Sequence, residues 1–304
     1  MEHRSAINIP ILNRFLDRVG TRAPDLIDYP GDLKSIYHYT DLSGLLGIIE
    51  NHDLWLTNSR YSNDDEELTH GYRVAVDLID QQLGVQGTRS RKQFLRIVRE
   101  MLSEPTPEGV YICCFCQAGD LLSQWRGYAA NGAGVCIGFD PQGFSYVTGS
   151  DSPPRGLIRL WTVFYKVEDQ KEIVNEALDF AFSDLADMAL KERARHAAEA
   201  ISFFIPTFKN KDFEGEQEIR LIFTPNPDFV SQPRFRISQS RLVPFYSLKE
   251  LAGDLSSPRA LPMTEVVIGP SMNKLINAES ARLLLDKAHY QTVSVQVSKT
   301  PYRG

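Results

Sequence analysis

The sequence lacks both an excess of positive charge and a long apolar run. Its 33 lysines and arginines are outnumbered by 39 aspartates and glutamates, which gives a net charge of −6. No field over the whole molecule would therefore draw it to nucleic acid, although a local basic groove stays open. Charged residues interrupt every apolar stretch of residues 1–20, so this segment is neither a secretory signal nor a spanning helix. We expect a cytoplasmic protein with no membrane partner.

Zinc-finger arrangements of Cys and His and glycine-rich nucleotide motifs are also missing. Cys113, Cys114, Cys116 and Cys136 lie in two apolar stretches, and no Cys or His follows them at zinc-finger spacing. We expect four free cysteines, buried as small hydrophobic side chains, and no metal centre. There is no G-x-G-x-x-G after a strand and no G-x-x-x-x-G-K-[ST], which argues against the usual nucleotide-binding folds.

What the sequence does contain is typical of a folded globular protein. Of its 304 residues 42% are hydrophobic and 24% charged. Residues 1–34 predict an N-terminal helix and a linker rich in proline and glycine, and residues 35–304 a single α+β domain. Irregularly spaced strands between large helical stretches predict a mainly antiparallel or mixed sheet with helical insertions. The longest insertion, at 170–205, is either one helix or two with a bend.

Apolar periodicity predicts the individual elements. A helix is expected over residues 42–51 with Asp41 as its N-cap, and further helices over 66–83, 89–102 and 278–288. The predicted strands cover residues 35–40, 53–59, 110–116, 135–140, 160–167, 218–224, 234–238, 241–248, 265–270 and 293–298.

Three polar clusters lie where a purely structural protein would not need them. The first is YHYT, in which strand alternation puts His38 on the face opposite Tyr37 and Tyr39. Thr40 marks the strand end, where loops expose side chains to ligands. His38 is either a core histidine that bonds a backbone carbonyl or a ligand-binding residue.

The second cluster is SQWRGYAANGAG. Trp125 and Tyr128 are three residues apart on a predicted helix, so they share a face and either sandwich a flat ring or belong to the core. Arg126 is a candidate phosphate ligand or a solvated surface residue. Gly132 and Gly134 serve a tight turn or a close approach of the backbone to a ligand.

The third cluster is EGEQEIR. Glu216 and Glu218 lie on one side of a predicted extended chain at the start of an apolar strand. Their mutual repulsion predicts a raised pKa for one of them. The alternative is a solvated pair at a strand edge, with Arg220 on the same face pairing one carboxylate.

The acidic stretch from Asn63 to Glu67 superficially suggests a divalent-cation site. It lacks the spacing of a calcium loop, and we interpret it as a helix cap at Asp64 or Asp65 with acids in the first turn.

Four stretches, in order, resemble the bacterial domain-of-unknown-function family 2971. They are YHYTDLSGLLGIIENHDLWLTNSRYSNDDEE, SQWRGYAANGAGVCIGFD, FKNKDFEGEQEIRLIF, and VVIGPSMN followed by VSVQVSKTPYR. The resemblance spans residues 36–303, and this family name supplies no activity.

The opening stretch also resembles the ADP-ribosyltransferase superfamily, in which a first strand ends in His plus Thr or Ser and an L-x-x-I helix leads to a second short strand. The resemblance implies an ADP-ribosyltransferase-like sheet core and NAD as substrate, with no metal. His38 and Thr40 would bind the ribose and amide of NAD. The same cofactor site would include Tyr39, Arg126 and an aromatic platform for the nicotinamide, which is Trp125 or Tyr128.

The same resemblance assigns the EQE triplet to the E-x-E loop before the catalytic strand. Glu218 would be the catalytic residue and Glu216 would orient the acceptor. The chain departs from the pattern in two ways, because it has no unambiguous Ser-Thr-Ser or second-strand Tyr motif and because a minimal core has no place for residues 170–205.

These observations lead to hypotheses from different classes. The first is an NAD-consuming transferase or NAD glycohydrolase that modifies a nucleic acid or protein, as a toxin or phage-defence effector would. The second is a non-catalytic ligand- or nucleic-acid-binding module. The third is a metal-dependent hydrolase that uses His38 and the acids at 63–67.

Overall fold

The structure is a computed structural model that describes residues 7–26, 30, 33–61, 68–102, 109–145, 155–226, 232–238, 240–252 and 260–302. Its α-helices are α1 Ile9–Arg22, α2 Leu42–Asn51, α3 Thr69–Gly84, α4 Arg89–Met101, α5 Leu122–Tyr128, α6 Val167–Asp179, α7 Leu190–Phe204, α8 Leu248–Leu251 and α9 Lys274–Lys287. Its strands are β1 Ile36–Thr40, β2 Trp55–Asn58, β3 Tyr111–Cys116, β4 Val135–Phe139, β5 Gly156–Thr162, β6 Glu218–Pro225, β7 Arg234–Ser238, β8 Arg241–Ser247, β9 Met263–Ile268 and β10 Ser294–Val297.

The described strands form one mixed sheet, which confirms the α+β prediction. The main path runs β10-β9-β4-β1-β3-β2-β8-β7, and β6 and β5 extend from β3 as a side branch. Strands β9 and β10 are parallel, whereas the other pairs are antiparallel.

The sheet forks at β3. One edge of β3 pairs with β6 along its whole length, from Tyr111 to Cys116. The other edge is divided, because its first two residues pair with β2 and Cys116 pairs with Tyr37 of β1. Between these contacts, none of the described strands pairs with residues 113–115 on that edge, so β1 and β2 diverge around an opening.

The described residues form three apolar cores. The smallest packs α5 against β1 and β4 and contains Tyr39, Trp125 and Cys136. The other two are larger. One is formed by inward-facing residues of the central strands together with α2 and α9, among them Leu45, Phe115 and Leu285. The other is a helical layer built from α1, α3, α4, α6 and α7, which Trp161 of β5 joins to the sheet. The buried face of α1 belongs to this layer through Leu12, Phe15 and Val19.

The helical insertion at 170–205 is two helices. Helix α6 begins earlier than predicted, at Val167, and runs into a π-helical segment at Phe180–Asp184. A break at 185–189 then precedes α7. The strand expected at 160–167 also differs, since β5 covers Gly156–Thr162 and Phe164 makes only an isolated bridge to Phe208.

Candidate functional site

The fork of the sheet opens a cavity of about 870 Å³. This volume lies at the upper end of the range of about 300–1,000 Å³ that small-molecule sites occupy. Strand β1, the start of α2, strand β2, the middle of β3 and strand β7 contribute to its walls. The side chains used below that line it are Thr40, His38, Trp55, Cys114, Gln124, Tyr128, Lys209, Glu216, Glu218 and Arg236.

His38 lies at the fork and bridges β1 to the free edge of β3. Its Nδ1 is 2.8 Å from the carbonyl oxygen of Cys114. A carbonyl oxygen can only accept, so Nδ1 carries the hydrogen, and in the neutral ring Nε2 is left with a lone pair. Burial lowers the pKa of His38, which favours this neutral form.

Thr40 reaches the cavity where β1 passes into α2. The N-cap of α2 is Asp41, as predicted, and its carboxylate accepts from the backbone N–H of Gly44 at 2.7 Å. A Cβ on Gly44 would lie 2.0 Å from the Thr40 hydroxyl oxygen. Glycine at 44 is therefore needed for this close packing of the strand end on the helix.

Tyr39 borders the cavity, but its hydroxyl is already engaged. It donates to the carbonyl of Ala118 at 2.8 Å and accepts from the backbone N–H of Leu121 at 2.9 Å. As strand alternation predicts, Tyr37 on the same face also points away from His38 and bonds Glu265. Tyr39 holds the segment before α5 against β1.

Trp125 does not offer a face to a ligand in the cavity. Its indole is fully buried, packs edge-on to Tyr39 with centroids 4.9 Å apart, and donates from Nε1 to Asp120 at 2.7 Å. Of the two readings left open for Trp125, the structure supports the core one, because α5 turns the indole into the interior. Of Trp125 and Tyr128, Tyr128 is the one that lines the cavity.

Arg126 lies on the outer surface of α5, away from the cavity. Its guanidinium carbon is 5.0 Å from the ring centroid of Tyr302, whose hydroxyl donates to Asn131. The structure therefore gives Arg126 an aromatic contact with the C-terminal segment instead of a place among the cavity residues.

The EGEQEIR residues form a compact charge cluster at one end of the cavity. Arg220 grips the Glu218 carboxylate with two bonds of 2.9 Å, from Nε to Oε1 and from Nη2 to Oε2. The ammonium of Lys209 bonds Glu218 at 2.9 Å and Glu216 at 2.6 Å. The hydroxyl of Tyr128 donates to the other Glu216 oxygen at 2.8 Å. Two carboxylates thus meet two cations.

The predicted repulsion between Glu216 and Glu218 does not raise the pKa of Glu218. Burial alone would raise it, but the charges of Arg220 and Lys209 outweigh burial and lower the pKa of Glu218 to about 2. Burial and the charge of Glu216 raise the pKa of Tyr128. Glu218 is therefore an anion and Tyr128 a neutral donor over the physiological range.

The geometry of the two glutamates differs from the extended chain predicted. Glu216 ends a 3₁₀ turn at Lys211–Glu216, and Gln217 has a left-handed backbone with φ of 47° before β6 begins at Glu218. Such a conformation is uncommon for a residue other than glycine. This turn brings both carboxylates to Lys209.

Cys114 departs from the expectation for the cysteines. All four are free, and three are buried as predicted, but Cys114 is exposed on the cavity floor. It lies opposite Arg220 in the β3–β6 pairing, and its thiol bonds Glu218. Cys114 lies at the fork, where none of the described strands pairs with this part of the edge of β3.

Several cavity residues were missed by sequence reasoning. Lys209 precedes the EQE triplet in an irregular segment, Gln124 looked like an ordinary helix residue, and Trp55 and Arg236 belong to short strands far apart in the chain. The one usable sequence signal was that Lys209 lies within nine residues of Glu216 and Glu218 along the chain. The others come together only through tertiary pairing.

Within the described ranges, no three His, Cys, Asp or Glu side chains are grouped so as to hold a metal ion. The acidic stretch at 63–67, with its predicted cap, lies outside the described residues. No helix in the part of the chain that the structure describes has the length and apolarity needed to cross a membrane.

Comparison with known proteins gives one family match. Residues 124–221, from α5 into β6, match the family described as "Protein of unknown function (DUF2971)". The matched region contains Gln124, Tyr128, Lys209, Glu216, Glu218 and Arg220. No curated protein and no solved structure matches the chain.

Proposed function

We propose that the protein is an NAD-consuming enzyme of the ADP-ribosyltransferase type, a transferase or NAD glycohydrolase whose acceptor is a nucleic acid or protein. The observation that supports it most is the convergence of His38, Tyr128 and Glu218 on one cavity, although they are far apart in sequence. Cavities with a few convergent polar groups and perturbed pKa values are favoured places for catalysis.

Glu218 supplies the charge that the reaction needs. Breaking the bond between nicotinamide and ribose develops positive charge on the sugar, and a fixed carboxylate stabilises that charge in the transition state. The lowered pKa keeps Glu218 ionised. Its carboxylate accepts from Arg220, Lys209 and the Cys114 thiol, and the ribose 2′-hydroxyl would replace the thiol, which is the weakest of these donors.

His38 and Tyr128 act as orienting groups. The lone pair on His38 Nε2 can accept from a ribose hydroxyl or from the carboxamide of nicotinamide, and the Cys114 carbonyl fixes the ring that carries it. Tyr128 has 41% of its surface exposed and lies beside Glu216, so its ring can flank the leaving nicotinamide. Of Trp125 and Tyr128, Tyr128 is therefore the aromatic residue that we propose stacks on the nicotinamide.

Glu216 is suited to orient an acceptor. It is bound to Lys209 and Tyr128 and is less buried than Glu218, with side-chain exposures of 19% and 7%. A nucleophile that approaches the ribose from solvent would reach Glu216 first. The carboxylate would align the attacking group, while Glu218 stabilises the sugar.

A non-catalytic binding module is the second candidate, and one observation favours it. The Glu218 carboxylate is held by Arg220, Lys209 and the Cys114 thiol. Hydrogen bonds saturate a structural carboxylate in the same way. In that case the cavity would bind NAD or a related ligand without cleaving it.

The test is nicotinamide release from NAD by the wild type, Glu218→Gln and Glu216→Gln. Glu218→Gln keeps the shape but removes the charge, and release should fall about a hundredfold to a thousandfold, as for other lost transition-state contacts. Glu216→Gln should reduce transfer to an acceptor more than it reduces hydrolysis of NAD.

The matched control is Glu214→Gln, which changes an exposed carboxylate in the same 3₁₀ turn. It should retain wild-type release. His38→Ala is an independent variant outside the charge cluster and should also reduce release. Wild-type turnover by Glu218→Gln with an unchanged melting temperature would exclude the mechanism and favour the binding module.

A further inference from the structure

Strands β2 and β7 line the end of the cavity away from the charge cluster. Strand β2 pairs with the first two residues of β3, whereas Glu218 pairs with the last one, Cys116. Alternation along β7 puts Arg234 and Arg236 on one face of the strand. Arg236 lines the cavity beside Thr57 and Trp55. Arg234 pairs with Glu250 outside it.

Arg236 has very few partners for a half-buried guanidinium. One bond of 3.3 Å joins its Nη2 to the hydroxyl oxygen of Thr57, while its buried Nε has no hydrogen-bond partner among the residues that the structure describes. Among the described residues, no carboxylate forms an ion pair with it. Burial lowers its pKa, as desolvation of an uncompensated cation does. A guanidinium in this position is suited to a carboxylate or phosphate ligand.

The other charged side chains that line the described part of the cavity are engaged. Lys209 bonds Glu216 and Glu218. The Asp41 carboxylate caps α2, and Asp53 accepts from the backbone N–H of Lys249 at 2.9 Å. Arg236 is thus the cation in this part of the cavity that is left for an external anion.

Trp55 offers an aromatic surface at the same place. Its indole stacks on Phe245 with centroids 4.4 Å apart and an interplanar angle of 29°, yet 42% of its surface is exposed. The guanidinium carbon of Arg236 is 6.0 Å from the indole centroid. An exposed indole beside an unpaired guanidinium can hold a planar base next to its phosphate.

We propose that Arg236 and Trp55 form a nucleotide subsite that binds the phosphate and adenine of NAD, on the opposite side of the cavity from Glu218. The assignment to NAD rests on the proposed function. The chemistry of the subsite, an arginine for phosphate and an indole for a base, depends only on these two side chains. The cavity volume of about 870 Å³ leaves room for one ligand that reaches both ends.

The test is calorimetric binding of ADP-ribose, AMP, adenosine and nicotinamide riboside to the wild type, Arg236→Ala and the matched control Arg234→Ala. Arg236→Ala should weaken AMP and ADP-ribose binding about tenfold to a hundredfold, because a charge-assisted contact is lost. It should leave adenosine and nicotinamide riboside nearly unchanged. Arg234→Ala should match the wild type for all four, and Trp55→Ala should weaken adenosine as well as AMP.

Absence of ADP-ribose binding by the wild type, or equal losses in Arg236→Ala and Arg234→Ala, would overturn the proposal. A short single-stranded oligonucleotide that binds more tightly than ADP-ribose and depends on Arg236 would overturn the assignment to NAD in favour of a nucleic-acid backbone. Arg236-dependent binding of ADP-ribose without nicotinamide release would support the subsite while refuting the proposed enzyme. Melting temperatures of both arginine variants establish that they are folded.

Discussion

The two ends of the cavity differ in whether their charged side chains are paired. At one end, Glu216 and Glu218 are neutralised within the protein by Lys209 and Arg220. At the other end, Arg236 has a single long hydrogen bond to a hydroxyl and no described anion.

This difference in charge pairing means that the Glu218 end is organised before a ligand binds, whereas the Arg236 end still lacks a partner for its charge. Paired and bonded charges are held in one geometry before any ligand arrives, which is what stabilising a transition state requires. An unpaired cation gains its partner only when a ligand binds, so its contribution appears as affinity. The carboxylate end therefore suits chemistry and the Arg236 end suits recognition.

The largest effect on stability should come from removing a charge at the Glu218 end of the cavity. Arg220→Met removes a fully buried cation and leaves Glu218 with Lys209 as its remaining ion-pair partner. Removing one member of a buried pair typically costs about 3–5 kcal/mol. Urea denaturation should show a loss of this size in the free energy of unfolding.

The double variant Glu218→Leu with Arg220→Met is the control for charge. It removes both members of the Glu218–Arg220 pair, while Lys209 keeps its bond to Glu216. It should be more stable than Arg220→Met alone, because no buried carboxylate is left without its arginine partner. A loss below about 1 kcal/mol in Arg220→Met, the range of exposed pairs, would contradict the account of this end.

A smaller effect on the free energy of unfolding is expected when the pH is lowered. The pKa of Glu218 falls from 4.5 in the unfolded chain to about 2 in the folded protein. Because the folded-state value is the lower one, its contribution to stability is complete above the unfolded pKa and is lost as the pH falls toward and through the folded pKa. Unfolding free energies measured from about pH 5 to about pH 3 should fall more steeply for the wild type than for Glu218→Gln. Equal slopes would show that Glu218 is not held ionised by its neighbours.

The smallest effect on stability should come from the Arg236 end. Arg236→Met keeps much of the side chain's apolar stem and removes a half-buried charge that has no ion-pair partner among the described residues. We expect a change within about 0.5 kcal/mol or a slight stabilisation, since no buried pair is broken. A large destabilisation in thermal and urea unfolding would indicate a partner for Arg236 inside the folded chain.

The sequence predicted local features of the fold better than the shape of the site. Asp41 caps α2 as expected, because an N-cap depends on neighbours three residues away. The fork at β3 depends on which strands pair with its edge. The hydrophobic periodicity within a single strand does not indicate its pairing partners. The sequence left two readings open for Trp125, because helix spacing does not tell which side of a seven-residue helix faces the core.

The charge cluster shows the same limit. The sequence left open that Arg220 pairs with a glutamate, because Glu218 and Arg220 are two residues apart and lie on the same face of β6. Arg220 and Lys209 lower the pKa of Glu218, where repulsion was expected to raise the pKa of one of the two glutamates. Lys209 reaches both carboxylates because of the left-handed turn at Gln217. Short-range patterns could identify the carboxylates but not the cation between them.

The most direct test of the central claim is free nicotinamide, measured over time after purified wild-type protein is mixed with NAD. Parallel reactions contain no acceptor, a nucleic acid or a protein lysate. The account predicts release in at least one of these reactions, with a loss of about a hundredfold or more in Glu218→Gln under the same conditions. No release in any of them, from protein that is folded and binds NAD, would contradict the account.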